Sequence, residues 1–443
     1  MIWNVGMSLA AGVFLGFLGG EGWAQTGGVG PSSPSPSHPQ AAQEPPAAPG
    51  ITGQASPVIP RGALHDEQRG APRPDGLTLD PKSRGFLPVP NTPLLLRFNA
   101  EPRVDLTDDN RNSGDPDRFI TAKIPVEGDP AFGGGNQFNI NANGSRLSID
   151  VRAPEVPGTP RFYYENDFYG SGGGQLPYRL RQLWGQYYNV VAGMTYSVFE
   201  DPDIWPDTVD YQGPNSAIFA RRPVIRYQWV FDQEWHVNVA LEQPSSQVDT
   251  SNEPNASSVN HAPDVGFNIR WEKSKVGHVQ IAWMFREIGV VGSTDGSQEV
   301  FGWGVNVSSG WTLFGGDFVQ GQLTYGPSMF DYCNDDFVNN DAAFKANGEM
   351  VALPYFGAMA GYTHYWSEHW RSSASAGYVH VVNAFSQEPS AYHEAQYYSL
   401  NVIWKIRERL QVGLEGLWGW KAEKGGATGD VFRLELGLVY SLF

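Results

Sequence analysis

From about residue 85 to the end of the chain, apolar and polar residues alternate in short runs. The last run, VFRLELGLVYSLF at 431–443, puts Phe432, Leu434, Leu436, Leu438, Tyr440 and Leu442 on one parity and Arg433, Glu435, Gly437, Val439 and Ser441 on the other. A period of two belongs to a β-strand whose faces meet different surroundings. Short connections are expected at 154–160, 188–190, 232–234, 273–275, 309–310, 367–369 and 407–409. They alternate with long polar ones at about 106–138, 170–177, 199–217, 244–263, 288–299, 325–350, 384–395 and 421–430. Seven short and eight long connections join sixteen strands. Short turns at one end and long loops at the other predict an all-β fold, a 16-stranded antiparallel transmembrane β-barrel. A soluble sandwich has no reason to segregate loop lengths in this way.

Aromatic residues make up 13% of the chain, with 15 Trp, 19 Tyr and 24 Phe. Phe231 and Trp235 flank one short turn and Trp366 and Trp370 another, as expected where a barrel wall crosses the headgroup layer of outer-membrane lipid. Lipid offers the backbone no hydrogen-bond partner, so the last strand is expected to pair with the first, near 94–106, and close the cylinder. The chain starts with an apolar stretch ending in Gly22-Trp23-Ala24, which reads as a signal peptide over 1–24. Residues 25–84 are rich in Pro, Ser, Ala and Gly and lack apolar periodicity, predicting a disordered Pro-rich periplasmic tether ahead of a barrel domain at 85–443. These features together place the protein in the bacterial outer membrane. The net charge is −17, or −16 once Glu21 leaves with the signal, which argues against a nucleic-acid partner. Cys333 is the single cysteine, so no intramolecular disulfide can form. A terminal aromatic is similar to the signal read by the outer-membrane assembly machinery, although Phe443 falls on the parity of Ser441 rather than of Leu442.

With the apolar parity facing lipid, the other lines the lumen. That parity carries Arg97 and Arg103 in the first strand, Arg146 and Arg152 in SRLSIDVRA, Arg179 and Arg181 in YRLRQLW, and Arg222 and Arg226 in RRPVIRYQWVF. Pro102 sits on the outward parity and is read as a possible bulge site. Later strands add Arg270, Arg286 and Lys405. Rows of guanidinium groups favour anions. The alternative is that each Arg pairs with a lumen acid such as Glu165, Asp167 or Glu242. Loop 199–216 holds Glu200, Asp201, Asp203, Asp207 and Asp210, constriction candidates if it folds inward opposite the Arg wall; otherwise it is a surface loop. Enzyme signals are weak. His364 and His369 straddle a turn with no third metal ligand, GSGGG at 170–174 follows no βα unit, and no Ser-His-Asp arrangement stands out. No catalytic residue, metal or cofactor is expected.

The stretches SRLSIDV, FYYENDFYGSGG, YRLRQLWGQYYNVVAGMTYSVF and DYQGPNSAIFARRPVIRY resemble corresponding parts of the DcaP-like porins, with the likeness strongest over about 85–245. The resemblance implies a sixteen-stranded, homotrimeric outer-membrane channel with a basic lumen, serving passive uptake of small anionic solutes such as dicarboxylates. The chain departs from the family in one respect. Better-known members carry a helical coiled coil before the barrel, where this chain has a Pro-rich tract without heptads. The rival readings are an outer-membrane barrel enzyme of lipase or protease type and a structural barrel linking envelope layers.

Overall fold

A computed structural model describes residues 86–171, 176–231 and 234–442. The expected signal peptide and tether lie outside the described residues, as do most of the GSGGG glycines and Phe443. Twenty strand segments form one sheet, and three short ones form a second. From Arg146–Arg152 to Thr428–Tyr440 the strands follow one another as an antiparallel meander. Among the described residues no helix is long and apolar enough to cross a membrane, which says nothing of a β-barrel.

Five of the short connections fall where expected, around 154–160, 188–189, 274–276, 367–369 and 408–409, and a sixth separates Arg221–Val230 from Trp235–Glu242. Three expectations fail. Ser309 and Gly310 lie inside the strand Gly296–Thr312, and the turn comes after it, at 313–317. The long loops expected at 288–299 and 421–430 are tight turns at 294–295 and 424–427, because the flanking strands run on past the apolar zone. The segment-length asymmetry between the two ends survives these changes. Trp271, Trp311, Trp370 and Trp404 gather at the short-turn end, with ring pairs Trp271–Trp311 at 5.9 Å and Trp370–Trp404 at 5.3 Å.

The last strand of the meander pairs with part of the first strand of the chain. Arg433 to Val439 pair with Asp109 to Arg103, and the N–H groups of Tyr440 and Leu442 donate to the carbonyls of Pro102 and Ala100. The first strand is split at Pro102 into Leu95–Glu101, paired with Arg146–Arg152, and Arg103–Asp109, paired with Gln137–Asn141. The sheet is therefore not one uninterrupted closed ladder. Pro102 lacks an N–H and breaks the ladder, yet Glu101, Arg103 and Asp105 stay on one face, so it causes no parity shift.

The two faces of the sheet differ as the alternation demands. Phe98, Ile225, Tyr227, Trp229, Leu400, Phe432, Leu438 and Tyr440 are exposed, while Arg103, Arg181, Arg226, Arg433 and Glu435 are buried on the opposite face. What buries them is loop. Residues 197–220 cross the inner face and are anchored on strands all around it. Asn268 Nδ2 donates to Val198 O at 2.7 Å, Asn306 Nδ2 to Phe199 O at 2.8 Å, Asn401 Nδ2 to Asp207 O at 2.7 Å and Ser216 Oγ to Ala358 O at 2.6 Å. The loop needs room, and glycines supply it. Gly413 and Gly437 are cross-strand partners on the inner face, and a Cβ on either would lie 2.5 or 2.8 Å from a methyl of Val209. A Cβ on Gly377 would collide with Asn215 Oδ1. The second sheet, Val248–Asp249, Ala342–Phe344 and Met350–Ala352, ties loop 243–263 to loop 328–353 over a buried cluster of Ile288, Val290, Phe344 and Met350.

Candidate functional site: a guanidinium-lined path beneath the long loops

Most of the inward arginines are paired. Arg103 holds Asp105 through Nε at 2.7 Å, and Arg146 is bonded to Glu101. Arg152 and Arg161 share Asp150, with Nη2 atoms at 2.7 and 2.9 Å, while half-exposed Arg97 stands 3.8 Å from the same carboxylate. Arg179 and Arg181 share Asp167, and Arg181 Nε also donates to Glu165 at 2.7 Å. Arg222 reaches Asp331 at 3.1 Å and Asp264 at 3.5 Å. Burying a guanidinium without a partner costs several kcal/mol on the order-of-magnitude scale for buried ions, so this pairing is what the confined inner face requires.

Two arginines depart from the rule. Among the described residues Arg221 and Arg226 make no ion pair, and Nη1 of Arg221 and Nε and Nη2 of Arg226 are buried without a hydrogen-bond partner. Arg221 lies over the Phe219 ring at 4.8 Å and lines a cavity of about 270 Å³ together with Arg118, Arg179 and Arg181. Asp331 and Asp336 of loop 328–353 lie on the lining of the same cavity. The Arg118 guanidinium stands 5.1 Å from the Tyr169 ring and 5.3 Å from that of Phe337, and it also borders a roomier cavity of about 600 Å³ lined by Asp115, Asp117 and Tyr169. Arg226 lines a smaller pocket of about 60 Å³ with Gln228, Asn238 and Arg270.

The loop acids do not face the early arginine wall across a gap. Asp201 and Asp203 bind Arg270 at 2.8 and 2.6 Å, Asp207 binds Arg371, and Asp210 accepts from the N–H groups of Phe119, Gln212 and Gly213. Glu200 accepts from Ala220 N at 3.1 Å. These carboxylates serve to seat the loop. Burial alone would raise Asp201, but His278 and Arg270 hold its carboxyl well below the usual range. Burial pushes Glu200 well up, with Arg221 opposing, and it also pushes Asp210 up against the pull of Arg433. Val209 and Tyr211 of the loop meet the early arginines: the Val209 carbonyl accepts from Arg103 Nη2, and the Tyr211 hydroxyl accepts from Arg181 Nη1 at 2.6 Å and donates to Asp167 at 2.7 Å.

Comparison with known proteins bears on this geometry. The family described as DcaP outer membrane protein matches residues 77–442. The chain belongs to that family. Among solved structures, the outer membrane channel DcaP of Acinetobacter baumannii is similar, with a TM-score of 0.71 at 17% identity over 79% of this chain and 97% of that one. The anion-selective porin from Comamonas acidovorans has a TM-score of 0.52 at 9% identity, over 79% of this chain and 100% of that one. No curated protein matches the chain. This DcaP family member is thus an outer-membrane channel protein of porin-like fold.

Sequence reasoning about this DcaP family chain missed Arg118, Arg161 and Arg221. Arg118 sits in a long loop, where parity carries no information. Arg221 opens its strand beside Arg222, so alternation would send it outward, but a strand's first residue is not bound by the pleat. The inner-face glycines Gly413, Gly437 and Gly377 were a usable signal for the inward loop: an inward position without a side chain implies that something else fills the space.

Proposed function

We propose that the protein is a trimeric, sixteen-stranded barrel that passes small anionic solutes of the dicarboxylate class across the outer membrane. The observation that carries the anion preference is the cavity shared by Arg118, Arg179, Arg181 and Arg221, of which Arg221 is left without a carboxylate. A carboxylate entering it gains charge-assisted, bidentate hydrogen bonds in place of part of its hydration. Arg97, Arg103, Arg146, Arg152, Arg222 and Arg226 set the field of the remaining wall, and loop 197–220 narrows the lumen. Pairing with Asp150, Asp167 and Asp331 keeps that field graded, so a solute is attracted and still released.

Closure of the barrel is supported by the pairing of the last strand with both halves of the first, on either side of Pro102. Joining the segments interrupted at Pro102 and at 142–145, and setting aside the short pieces Leu87–Pro88 and Ser257–Val259, leaves sixteen spanning strands. The trimer follows from the family resemblance. It is also favoured by the small side chains of the outer wall where Ala360 and Ala376 are cross-strand partners and Ala374 stands opposite Tyr362. Barrel insertion by the outer-membrane assembly machinery belongs to the same reading.

Liposome swelling tests the solute class. Vesicles holding the protein should swell faster in an isotonic C4 dicarboxylate salt than in a neutral sugar of similar size, and Arg221→Ser should reduce that difference. Equal rates for the two solutes would remove the dicarboxylate reading.

A further inference from the structure

Among the described residues two clusters gather three His or carboxylate ligand atoms, and one of them combines two imidazoles with a carboxylate. His380 is the last residue but one of the strand Trp370–Val381, and His393 and Glu394 are the second and third of the strand Tyr392–Arg407. Their ligand atoms all lie within 4.8 Å of one another, and all three residues are half-buried. The local backbone explains how they come together. Glu394 is the cross-strand partner of His380. On its other side, the strand slips register between Tyr392 and Glu394, so His393 is the extra, unpaired residue of a bulge. A bulge re-aims a side chain, here bringing two consecutive residues toward one neighbour when strict alternation would part them.

The hydrogen bonds fit a metal site. His393 Nδ1 lies 3.0 Å from Val381 O and 2.8 Å from Asn383 Oδ1; both are acceptors, so Nδ1 carries the proton and Nε2 keeps its lone pair. That is the carbonyl support that metal-bound imidazoles use to fix tautomer and ring orientation. The His380 ring stands 4.7 Å from that of His393, and its Nδ1 is buried with no hydrogen-bond partner. Glu394 accepts from Gln396 Nε2 at a long 3.4 Å. The other His-Glu group, at His261, differs: that imidazole already sits 2.8 Å from Glu299.

We propose that His380, His393 and Glu394 form a binding site for a divalent transition metal of the Zn²⁺ class. Two imidazoles and one carboxylate supply three ligands at borderline hardness and leave a position for water, a donor set that suits Zn²⁺, Ni²⁺ or Cu²⁺ and disfavours Mg²⁺. The site spans the base of loop 382–391. That loop packs on its neighbours through Gln387 Nε2 to Asp249 Oδ2 at 2.9 Å and Asn383 Nδ2 to Tyr392 O at 2.9 Å. A bound ion closes the loop at its root and stiffens the hairpin 370–407. This role is independent of which solute the channel carries.

The test uses full-length protein in detergent and Co²⁺ as the probe. Equilibrium dialysis and d–d absorption should count one Co²⁺ per chain, displaced by Zn²⁺ and unaffected by millimolar Mg²⁺. The pair His380→Ala with His393→Ala should weaken binding at least tenfold, while His364→Ala with His369→Ala should leave it unchanged. If the first pair does not fold, the near-isosteric Glu394→Gln decides, with an expected loss of at least tenfold in affinity. No Co²⁺ on the wild type, or full affinity in Glu394→Gln or in the folded His380/His393 variant, overturns the site.

Discussion

The seam between the first and last strands offers the sharpest test of closure, and one side chain holds most of its polar contacts. Arg433 is fully buried; its Nε donates to Asp109 Oδ1 at 2.6 Å and its Nη2 to Asp109 Oδ2 at 2.9 Å. The same Nη2 reaches Ser113 Oγ at 3.2 Å and Asp115 O at 2.9 Å, and the Phe119 ring lies 5.3 Å from the guanidinium. Replacing Arg433 with Met keeps the apolar stem but leaves the Asp109 carboxylate buried without its cation. Two charge-assisted hydrogen bonds at about 1.5–3 kcal/mol each give the scale, and breaking one side of a buried pair typically costs about 3–5 kcal/mol. Replacing both partners with apolar residues removes the stranded charge and should cost much less. The assay is the guanidinium midpoint of the band shift between folded and unfolded forms in detergent gels, read for Arg433→Met, Asp109→Leu and the double variant. The expected result is two destabilised single variants and a double variant that recovers most of the loss, a coupling that only contacting residues produce. Single variants with the wild-type midpoint, or additive losses, would mean that the first and last strands do not pair through Arg433 and Asp109.

Other outcomes follow from the same contacts. Arg221→Ser should lower the anion permeability by roughly fivefold, about 1 kcal/mol for one charge at ~4 Å in water-like surroundings, and lower the anion-to-cation ratio with it. The effect should be larger at 0.1 M than at 1 M salt, because the Debye length falls from ~10 to ~3 Å, and a ratio unchanged at both salts counts against the role of Arg221. Replacing Arg179 and Arg181 together leaves Asp167 and Glu165 unpaired in the same wall, so single-channel recordings should show a swing toward cations that Arg221→Ser alone does not give. Arg371→Ala removes the Asp207 anchor of loop 197–220, and Gln411 loses its partner too; conductance should rise and become noisier, with no change in the inserted fraction. Asp341 gives a pH signature. Burial raises its carboxyl to about 6 from an ordinary 3.8, with Arg286 pulling down and Asp331 pushing up. A folded-state value above the unfolded one means the folded protein holds the proton more tightly, so this group's stabilisation is full below about pH 4 and lost as pH rises through 6. Asp341→Asn should flatten the stability profile over that interval, as measured by the denaturation midpoint at each pH.

What could be read beforehand was whatever the pleat imposes. Phe432 to Tyr440 alternate except at the apolar Val439, and Phe432, Leu438 and Tyr440 are exposed, Leu434 and Leu436 half-buried, and Arg433, Glu435 and Val439 buried. The errors arose where the strands outrun the apolar zone. Glu287, Gln298 and Glu299 are polar, so 288–299 read as a loop, yet ladder pairs such as Gly289 with Glu299 continue there. Ser309-Gly310 has the composition of a turn, but Gly310 is there because the Phe318 and His278 rings press on it: a Cβ would lie 2.6 Å from Phe318 Cζ. The charge balance of the inner face was harder to foresee. Pairing between Arg181, Glu165 and Asp167 depends on a register shift at Glu165/Asn166, and the Arg118 contacts depend on how two loops fold against each other. Neither leaves a periodic trace in the sequence.

A zero-current potential measures directly whether the inner wall selects anions. With the full-length protein in a planar bilayer and KCl at 1 M on one side and 0.1 M on the other, the expected reversal potential has the sign that reports chloride as the more permeant ion, and it is reduced in Arg221→Ser. A wild-type potential of the opposite sign would show that Asp331, Asp336 and the other loop carboxylates govern the lumen, and would contradict an anion-selective wall.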